Sequence, residues 1–326
     1  MIKTLEIKNF KSIKHLKLDC KRVNVLIGKP NTGKSNILES AGIFSLPYAY
    51  ANLKDIVRFE NMTNLFHDQD VSEKIEISTE ADRFEITFEN GWFKVNSEDR
   101  EGKIKIAFEC GYDGRGDAKK IKIASPRNVP FKFYRFTAID RFDRPESDFL
   151  TPPKGENLLQ ILLTNKEARK MASDIFSEYG LKILLRTQEF KIEVQKEVEE
   201  VIVSYPYALV SDTLQRVVFH LVAIETNKDS IIIFEEPEAH SFPYYTKFLA
   251  ERIALDESNQ YFISTHNPYF LLSVLEKISK DDIGIVITYL DEFQTKIKAL
   301  IQEEMPEILD LDASVFFNLD RFLGKP

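Results

Sequence analysis

Gly28–Ser35 reads GKPNTGKS and directly follows the apolar run VNVLI at Val23–Ile27. The stretch fits G-x-x-x-x-G-K-[ST] without a gap, a pattern that an average chain of this length matches by chance on the order of once in a hundred. A phosphate-binding loop needs a buried strand before it and a helix after it. Val23–Ile27 is apolar and rich in β-branched residues, and NILESAGIF at Asn36–Phe44 has the apolar spacing of a helix start. Both requirements are met.

Each residue type has a physical reason. Gly28 and Gly33 let the backbone fold back so that its N–H groups point at phosphate oxygens, where a β-carbon would intrude. Lys34 brings positive charge to the β- and γ-phosphates. The Ser35 hydroxyl suits Mg²⁺, and the phosphates would sit at the positive end of the following helix. Lys29, Pro30, Asn31, Thr32 and Asn36 complete the candidate cradle. The plainer alternative is a glycine turn that carries a surface lysine.

The chain has 326 residues, 43% hydrophobic and 29% charged, which is ordinary for a soluble globular protein and ample for a large core. No apolar run approaches the roughly 20 residues of a membrane helix, and the N-terminus is charged throughout. No membrane is expected. Cys20 and Cys110 fit neither a metal-ligand spacing nor a disulfide framework, so a cytoplasmic location is the expectation. The formal charge is −8, which does not advertise nucleic-acid binding. Two basic runs depart from that balance. One is residues 1–22, with Lys3, Lys8, Lys11, Lys14, Lys17, Lys21 and Arg22 against Glu6 and Asp19; the other is Lys119–Arg144, with FKFYRF inside it. Solvated strand faces and a DNA groove both account for such runs.

The opening KTLEIKNFKSIKHLKLD alternates as a hairpin does. Between Glu73 and Phe136 the runs KIEIS, RFEITFE, GWFKV, KIKIAFECG, KKIKIAS and FKFYRF predict an antiparallel meander. Helical patterns follow from Glu156 to Tyr179, then strands KILLR, EFKIEV and EEVIVSYP. The order beyond them is the helix SDTLQRVVFHLVAIETN, the strand SIIIF, the helix YYTKFLAERIALD, the strand QYFIST, a further helix, a hairpin at GIVITYLDEFQTKIKAL and an acidic end.

Residues 231–240 read IIIFEEPEAH, an apolar strand with two carboxylates at its C-terminal end, where open α/β sheets bind ligands. Glu235 would orient Mg²⁺, and Glu236 would orient or deprotonate the water that attacks a γ-phosphate. In QYFISTHNP, His266 follows another apolar strand, where a neutral imidazole can hydrogen-bond a γ-phosphate.

The set GKPNTGKS, SDTLQR, IIIFEEPEAH and STHNP resembles the ABC-type P-loop ATPases in their SMC, RecF and OLD-like branch. KNFKSIKHLKL is similar to that branch's N-terminal hairpin. The resemblance implies an α/β head with a mixed central sheet, an antiparallel β-subdomain and a helical subdomain. Its lobes would divide near residues 1–150, 151–210 and 211–326. By this similarity Gly28–Ser35 is Walker A, Glu235 and Glu236 close Walker B, Pro237–His240 leads the D-loop, and His266 is the switch histidine. ATP and Mg²⁺ are the implied cofactors. A head-to-head homodimer would form on ATP binding, with Ser211 of one subunit capping the nucleotide of the other.

The match has departures. Ser211 is followed by Asp212 and Thr213 where the family's signature carries glycine, and Glu235 stands where Asp is usual. Gln69 in NLFHDQD is a candidate Q-loop residue near the metal, with a plain loop as the alternative. The interval from Lys34 to Glu235 is too short for SMC arms, and the stretch after His266 is too short for a Toprim nuclease. A nuclease or effector is therefore expected on a separately encoded partner.

The leading expectation is a soluble ATPase, hydrolysing ATP to ADP and phosphate, that acts on DNA or on a DNA-processing or defence partner. The alternatives are a nucleotide-gated interaction module with little turnover and an ABC transporter ATPase subunit. The transporter reading predicts a glycine-rich signature, a clear Q-loop and a shorter β-lobe. A P-loop kinase explains neither EEPEAH nor STHNP.

Overall fold

The computed structural model describes residues 1–111, 118–123, 129–142 and 147–324. The alternating opening folds as the antiparallel hairpin β1 (Thr4–Phe10) and β2 (Ile13–Asp19), which pair from Thr4↔Asp19 to Phe10↔Ile13. Strand β3 (Val23–Gly28) is buried at every residue, and helix α1 (Lys34–Gly42) follows the glycine loop. The meander comprises β4 (Ile75–Thr79), β5 (Asp82–Glu89), β6 (Trp92–Asp99), β7 (Ile104–Gly111) and β8 (Lys119–Ile123). With the hairpin it makes a seven-stranded sheet in the order β2–β1–β4–β5–β6–β7–β8.

FKFYRF departs from the expected meander. Its strand β9 (Phe131–Tyr134) pairs parallel with a later strand and is buried at all four residues. Lys132 disguised it, because a lysine inside an alternating run reads as a solvated face. Here Lys132 is buried, donates to Asn227 Oδ1 at 2.5 Å and lies over the Phe149 ring, while burial pulls its ammonium down to about 8. Arg127 and Arg144 of the same basic run lie outside the described residues.

Helices α2 (Leu158–Thr164) and α3 (Lys166–Ser177) follow, the second capped by Asn165, whose side chain accepts from the Ala168 N–H. A three-stranded antiparallel sheet, β10 (Lys182–Arg186), β11 (Lys191–Val198) and β12 (Val201–Pro206), leads into α4 (Asp212–Thr226). Then come β13 (Ile231–Glu235), α5 (Pro243–Leu255), β14 (Gln260–Ser264), α6 (Pro268–Leu275), the hairpin β15 (Ile283–Asp291) and β16 (Gln294–Ala299), and the short helices α7 (Met305–Leu311) and α8 (Leu319–Phe322).

The six-stranded sheet β16–β15–β3–β14–β13–β9 is the centre of the molecule. All its pairings are parallel except the β15–β16 hairpin. Its residues alternate between two apolar cores. Leu26, Phe131, Ile231, Ile233, Phe262 and Val286 face α1 and the seven-stranded sheet. Val25, Ile27, Ile232, Phe234, Ile263 and Ile285 face α4, α5 and α6. A strand with apolar residues on both faces can sit only inside such a layered sheet. Parallel pairing sets the C-terminal ends of β3, β13 and β14 along one edge, so Gly28, Glu235 and Ser264 open onto a common face.

Candidate nucleotide site

The loop Gly28–Gly33 turns back on itself with Gly28 at φ 154°, Asn31 at 61° and Gly33 at 96°. A β-carbon at Gly33 would run into the Thr295 hydroxyl, and one at Gly28 into Thr288. Both glycines are therefore fixed by conformation and by space. The walls are hydroxyl groups that sequence reasoning missed. Thr32 Oγ1 lies 2.6 Å from Thr288 Oγ1 and donates to the Lys29 carbonyl at 2.8 Å. Thr295 Oγ1 donates to the Thr32 carbonyl at 3.1 Å and lies 2.6 Å from Ser12 Oγ, which accepts from Asn36 Nδ2 at 2.7 Å. Two hairpins, β1–β2 and β15–β16, thus brace the loop.

Lys34 is buried at the start of α1, with Nζ donating to the carbonyls of Gly28 and Lys29 at 2.9 Å each. Burial pulls its ammonium down to about 8, against the carboxylates of Glu236 and Glu235, which favour the charge. Ser35, in the first turn, is half-buried, and its hydroxyl makes no hydrogen bond among the described residues. Lys29 projects outward to Asp320 at 2.7 Å, and Pro30 and Asn31 are exposed.

Glu235 ends β13 beside Ser264 of β14. Its Oε1 accepts from Arg58 Nη2 at 2.8 Å, and its Oε2 lies 3.8 Å from Arg135 Nη2. Behind this pair lies Glu39, fully buried on α1. It accepts from Arg58 Nε at 2.8 Å and Lys11 Nζ at 2.5 Å, with Arg135 at 3.6 Å. A buried carboxylate on an apolar helix needs such partners. Glu39 in ILES was the one sequence signal for this cluster, a charge placed among apolar residues four positions after Ser35.

Glu236 holds the left-handed backbone at φ 45°, strained for a residue with a β-carbon. Its Oε1 is 3.5 Å from His266 Nε2. Burial and Lys34 hold the His266 imidazole below its usual range, with Glu236 opposing, so the ring is neutral at pH 7 and can accept or donate one hydrogen bond. Beyond it, Asn267 caps α6 by accepting from the Tyr269 and Phe270 N–H groups.

Ser211 is the N-cap of α4, exposed and without a side-chain capping bond, while Thr213 Oγ1 donates to the His240 carbonyl at 2.6 Å. The start of α4 is thereby tied to the segment after Glu236. Gln69 is exposed on a short turn, where its Oε1 accepts from Thr63 Oγ1 at 3.5 Å. No hydrogen bond or ion pair among the described residues joins it to the loop or to Glu235.

The AAA ATPase domain family matches residues 1–206. The chain belongs to that family. No curated protein matches this AAA ATPase domain chain. Among solved structures it is similar to an SMC head bound to the C-winged helix domain of ScpA, at TM-score 0.53 and 13% identity over 94% of this chain and 99% of that one. It is likewise similar to the Pyrococcus furiosus Smc head with an extended coiled coil bound to the C-terminal domain of ScpA, at TM-score 0.52 and 14% identity over 95% and 98%. The fold is that of an SMC head, an ABC-type P-loop ATPase architecture. No helix among the described residues is long and apolar enough to cross a membrane.

The residues fit a nucleotide and its cation. The glycine cradle admits no β-carbon, the Ser35 hydroxyl makes no hydrogen bond among the described residues, and hard oxygen donors suit Mg²⁺. No cluster of three or more His, Cys, Asp or Glu side chains that could hold a metal occurs among the described residues. A cation here would need oxygens from phosphate and water, as Mg²⁺ commonly does.

Proposed function

We propose that this chain is a Mg²⁺-dependent ATPase that closes head to head with a second copy on binding ATP. One observation carries the reading: Lys34, Glu235, Glu236 and His266 gather at one edge of the central sheet, around a loop that only glycine can shape. Gly28, Asn31, Thr32 and Gly33 would direct backbone N–H groups at the phosphates, with Asn36 holding the start of α1. Lys34 would leave its two carbonyls for phosphate oxygens. Mg²⁺, when bound through Ser35 and Glu235, would neutralise phosphate charge. Glu236 would orient and deprotonate the attacking water, and neutral His266 would hydrogen-bond the γ-phosphate. Ser211, whose hydroxyl makes no capping bond to α4, would cap the partner's nucleotide. The chain would be one head of two lobes, with divisions near residues 150 and 210.

Lys34→Ala should abolish tight ATP binding, because its charge meets phosphate before and during reaction alike. Glu236→Gln should keep binding and lose about 10²–10⁴-fold in turnover, the usual worth of a general base. In light scattering with Mg-ATP, the Glu236→Gln chain should double its mass. Wild-type turnover in that variant removes Glu236 from the mechanism, and an unchanged mass with ATP bound removes the closed dimer.

DNA and a DNA-processing or defence partner, such as a separately encoded nuclease or effector, are the two targets. Pairing of the basic residues favours a protein partner. Lys8, Lys14 and Lys120 are matched by Glu76, Glu73 and Glu109, and Lys11 is committed to Glu39. The two basic runs also lie toward opposite ends of the seven-stranded sheet, since β1 and β2 of the first are five and six strand spacings, about 24 and 29 Å, from β8 of the second within one chain. Low-salt titration of the Glu236→Gln chain with DNA and ATP should show weak binding at most. Tight binding that Lys119→Glu, Lys120→Glu and Lys122→Glu together abolish would reverse this preference.

A further inference from the structure

Arg58 lies outside the motifs quoted from the sequence above. It leaves the loop after α1 and bridges two carboxylates from different elements, with Nε on Glu39 and Nη2 on Glu235, each at 2.8 Å. The backbone fixes its base. The Arg58 N–H donates to Glu39 Oε1 at 3.2 Å, and the Arg58 carbonyl accepts from Lys11 Nζ at 2.7 Å. Yet the side chain is 57% exposed, so its tip borders solvent. Arg135 differs. It is 27% exposed, and its guanidinium is held by the backbone carbonyls of Ile56 and Asp55 at 3.1 and 3.5 Å.

The shared partner is the point. Glu235 is the carboxylate proposed above to orient the nucleotide's cation, and Arg58 takes one of its two oxygens. An Oε1 that accepts from a guanidinium is a poorer ligand for Mg²⁺, because the arginine's charge offsets that of the carboxylate and repels a second cation beside it. Glu39 keeps Arg58 close when the guanidinium turns from Glu235, since the Arg58 backbone N–H bonds Glu39 independently of the side chain. The arrangement has an anchor at Glu39, a tip that borders solvent, and a contested carboxylate at Glu235.

We propose that Arg58 is a latch on Glu235 that competes with a nucleotide-bound divalent cation for this carboxylate, so that this arginine sets how much Mg²⁺ the site requires. The inference rests on the reading of Glu235 as the cation's carboxylate. Arg135, pinned to backbone carbonyls, stays near Glu235 Oε2 in both positions and keeps that carboxylate oriented. Displacement leaves the Arg58 guanidinium tethered to Glu39 at the edge of the site, so the cation binds without expelling the positive charge from the cluster.

The test reads nucleotide binding rather than turnover. A fluorescent, non-hydrolysable ATP analogue is titrated onto the full chain in EDTA and then at increasing Mg²⁺, for wild type, Arg58→Gln, Arg58→Lys and Glu235→Gln. Arg58→Gln should lower the half-saturating Mg²⁺ by roughly three- to tenfold, between the worth of an exposed ion pair and a charged hydrogen bond, and leave the affinity in EDTA unchanged. Arg58→Lys keeps a cation for Glu39 but loses the fork, and should fall between wild type and Arg58→Gln; it decides the matter if Arg58→Gln does not fold. Glu235→Gln should raise the half-saturating Mg²⁺. An unchanged or raised Mg²⁺ requirement in both Arg58 variants overturns the latch. So does a loss of affinity in EDTA, which would make Arg58 a phosphate ligand. If Glu235→Gln leaves the Mg²⁺ dependence untouched, the assignment of Glu235 falls and the latch falls with it. If wild type binds no analogue at all, the nucleotide reading itself fails.

Discussion

The phosphate-loop candidate is flanked by two unlike walls. Toward β15 and β16 the contacts are neutral and close: Ser12, Thr32, Thr288, Thr295 and Asn36 join by hydroxyl and amide hydrogen bonds of 2.6–3.1 Å. Toward β13 and β9 they are charged: Lys11, Arg58 and Arg135 surround Glu39 and Glu235. Hydroxyl contacts are short and carry no net charge, so they set the shape of the loop whatever ligand is near. Ion pairs reach farther and respond to any new charge. A site that held a polyanion and a dication, as proposed for this one, would gain from keeping these duties apart, with rigid shape on one side and adjustable charge on the other.

The largest expected effect breaks the neutral wall. Gly33→Ala introduces a β-carbon into the Thr295 hydroxyl at a backbone conformation of φ 96°. Strain of about 1–2 kcal/mol from the left-handed backbone adds to the collision. Nucleotide binding should fall below detection in a fluorescence titration, while the far-UV circular dichroism stays that of the wild type. Gly33→Ala with Thr295→Ala removes the collision but not the strain, and should recover only part of the affinity. Full recovery would show that space alone, not backbone conformation, requires glycine.

The charged wall should answer in stability first. Glu39 is buried against three cations, and Glu39→Ala leaves those cations without their shared anion. Removing one member of a buried ion pair costs about 3–5 kcal/mol, so the melting temperature should drop by several degrees. Because Arg58 is more than half exposed and can find water, the loss should lie at the lower end of that range. A melting temperature within a degree of wild type would mean that the cluster is no part of what holds α1 against the sheet.

Sequence legibility followed the same division. GKPNTGKS, IIIFEEPEAH and STHNP could be read because each is a contiguous run whose chemistry depends on neighbours one to six positions away. The strands before them were legible too, since burial on both faces demands unbroken apolar runs such as Ile231–Phe234. Thr288 and Thr295 were not. They reach the loop from the far end of the chain, and a threonine in a strand looks the same whether it faces solvent or a carbonyl. Arg58 and Arg135 were hidden for a related reason, as their partner Glu235 is distant in sequence. FKFYRF reads as a strand of the meander because Lys132 mimics a solvated face, whereas Asn227 and Phe149 accommodate its ammonium in the interior.

The smallest effect concerns a third carboxylate, which belongs to neither wall. Glu238 follows the Glu235–Glu236 pair by a turn and is buried, but its partner is a hydroxyl instead of a guanidinium. Thr265 Oγ1 donates to its Oε1 at 2.5 Å, and its Oε2 is buried without a hydrogen bond among the described residues. Burial pushes its carboxyl up from 4.5 to about 7, with the nearby Glu236 charge adding to the rise and the hydrogen bonds opposing it. The sign follows from which state prefers the proton. The folded state holds the neutral acid better than the unfolded state does, so this contribution is present in full below 4.5 and is lost as pH rises toward 7. Above that the fold must bury a charge that forms no ion pair among the described residues. Glu238→Gln mimics the neutral acid at every pH. Relative to wild type, its stability should climb between pH 5 and pH 7 and level off beyond, by about 1–3 kcal/mol in all. Any fixed cost of placing the amide nitrogen at the unpartnered oxygen shifts the whole curve without changing its slope. Melting temperatures of the two chains from pH 5 to 8.5 decide the point. Parallel curves would mean that Glu238 meets a cation or bulk water in solution, and that burial beside a hydroxyl does not set its protonation.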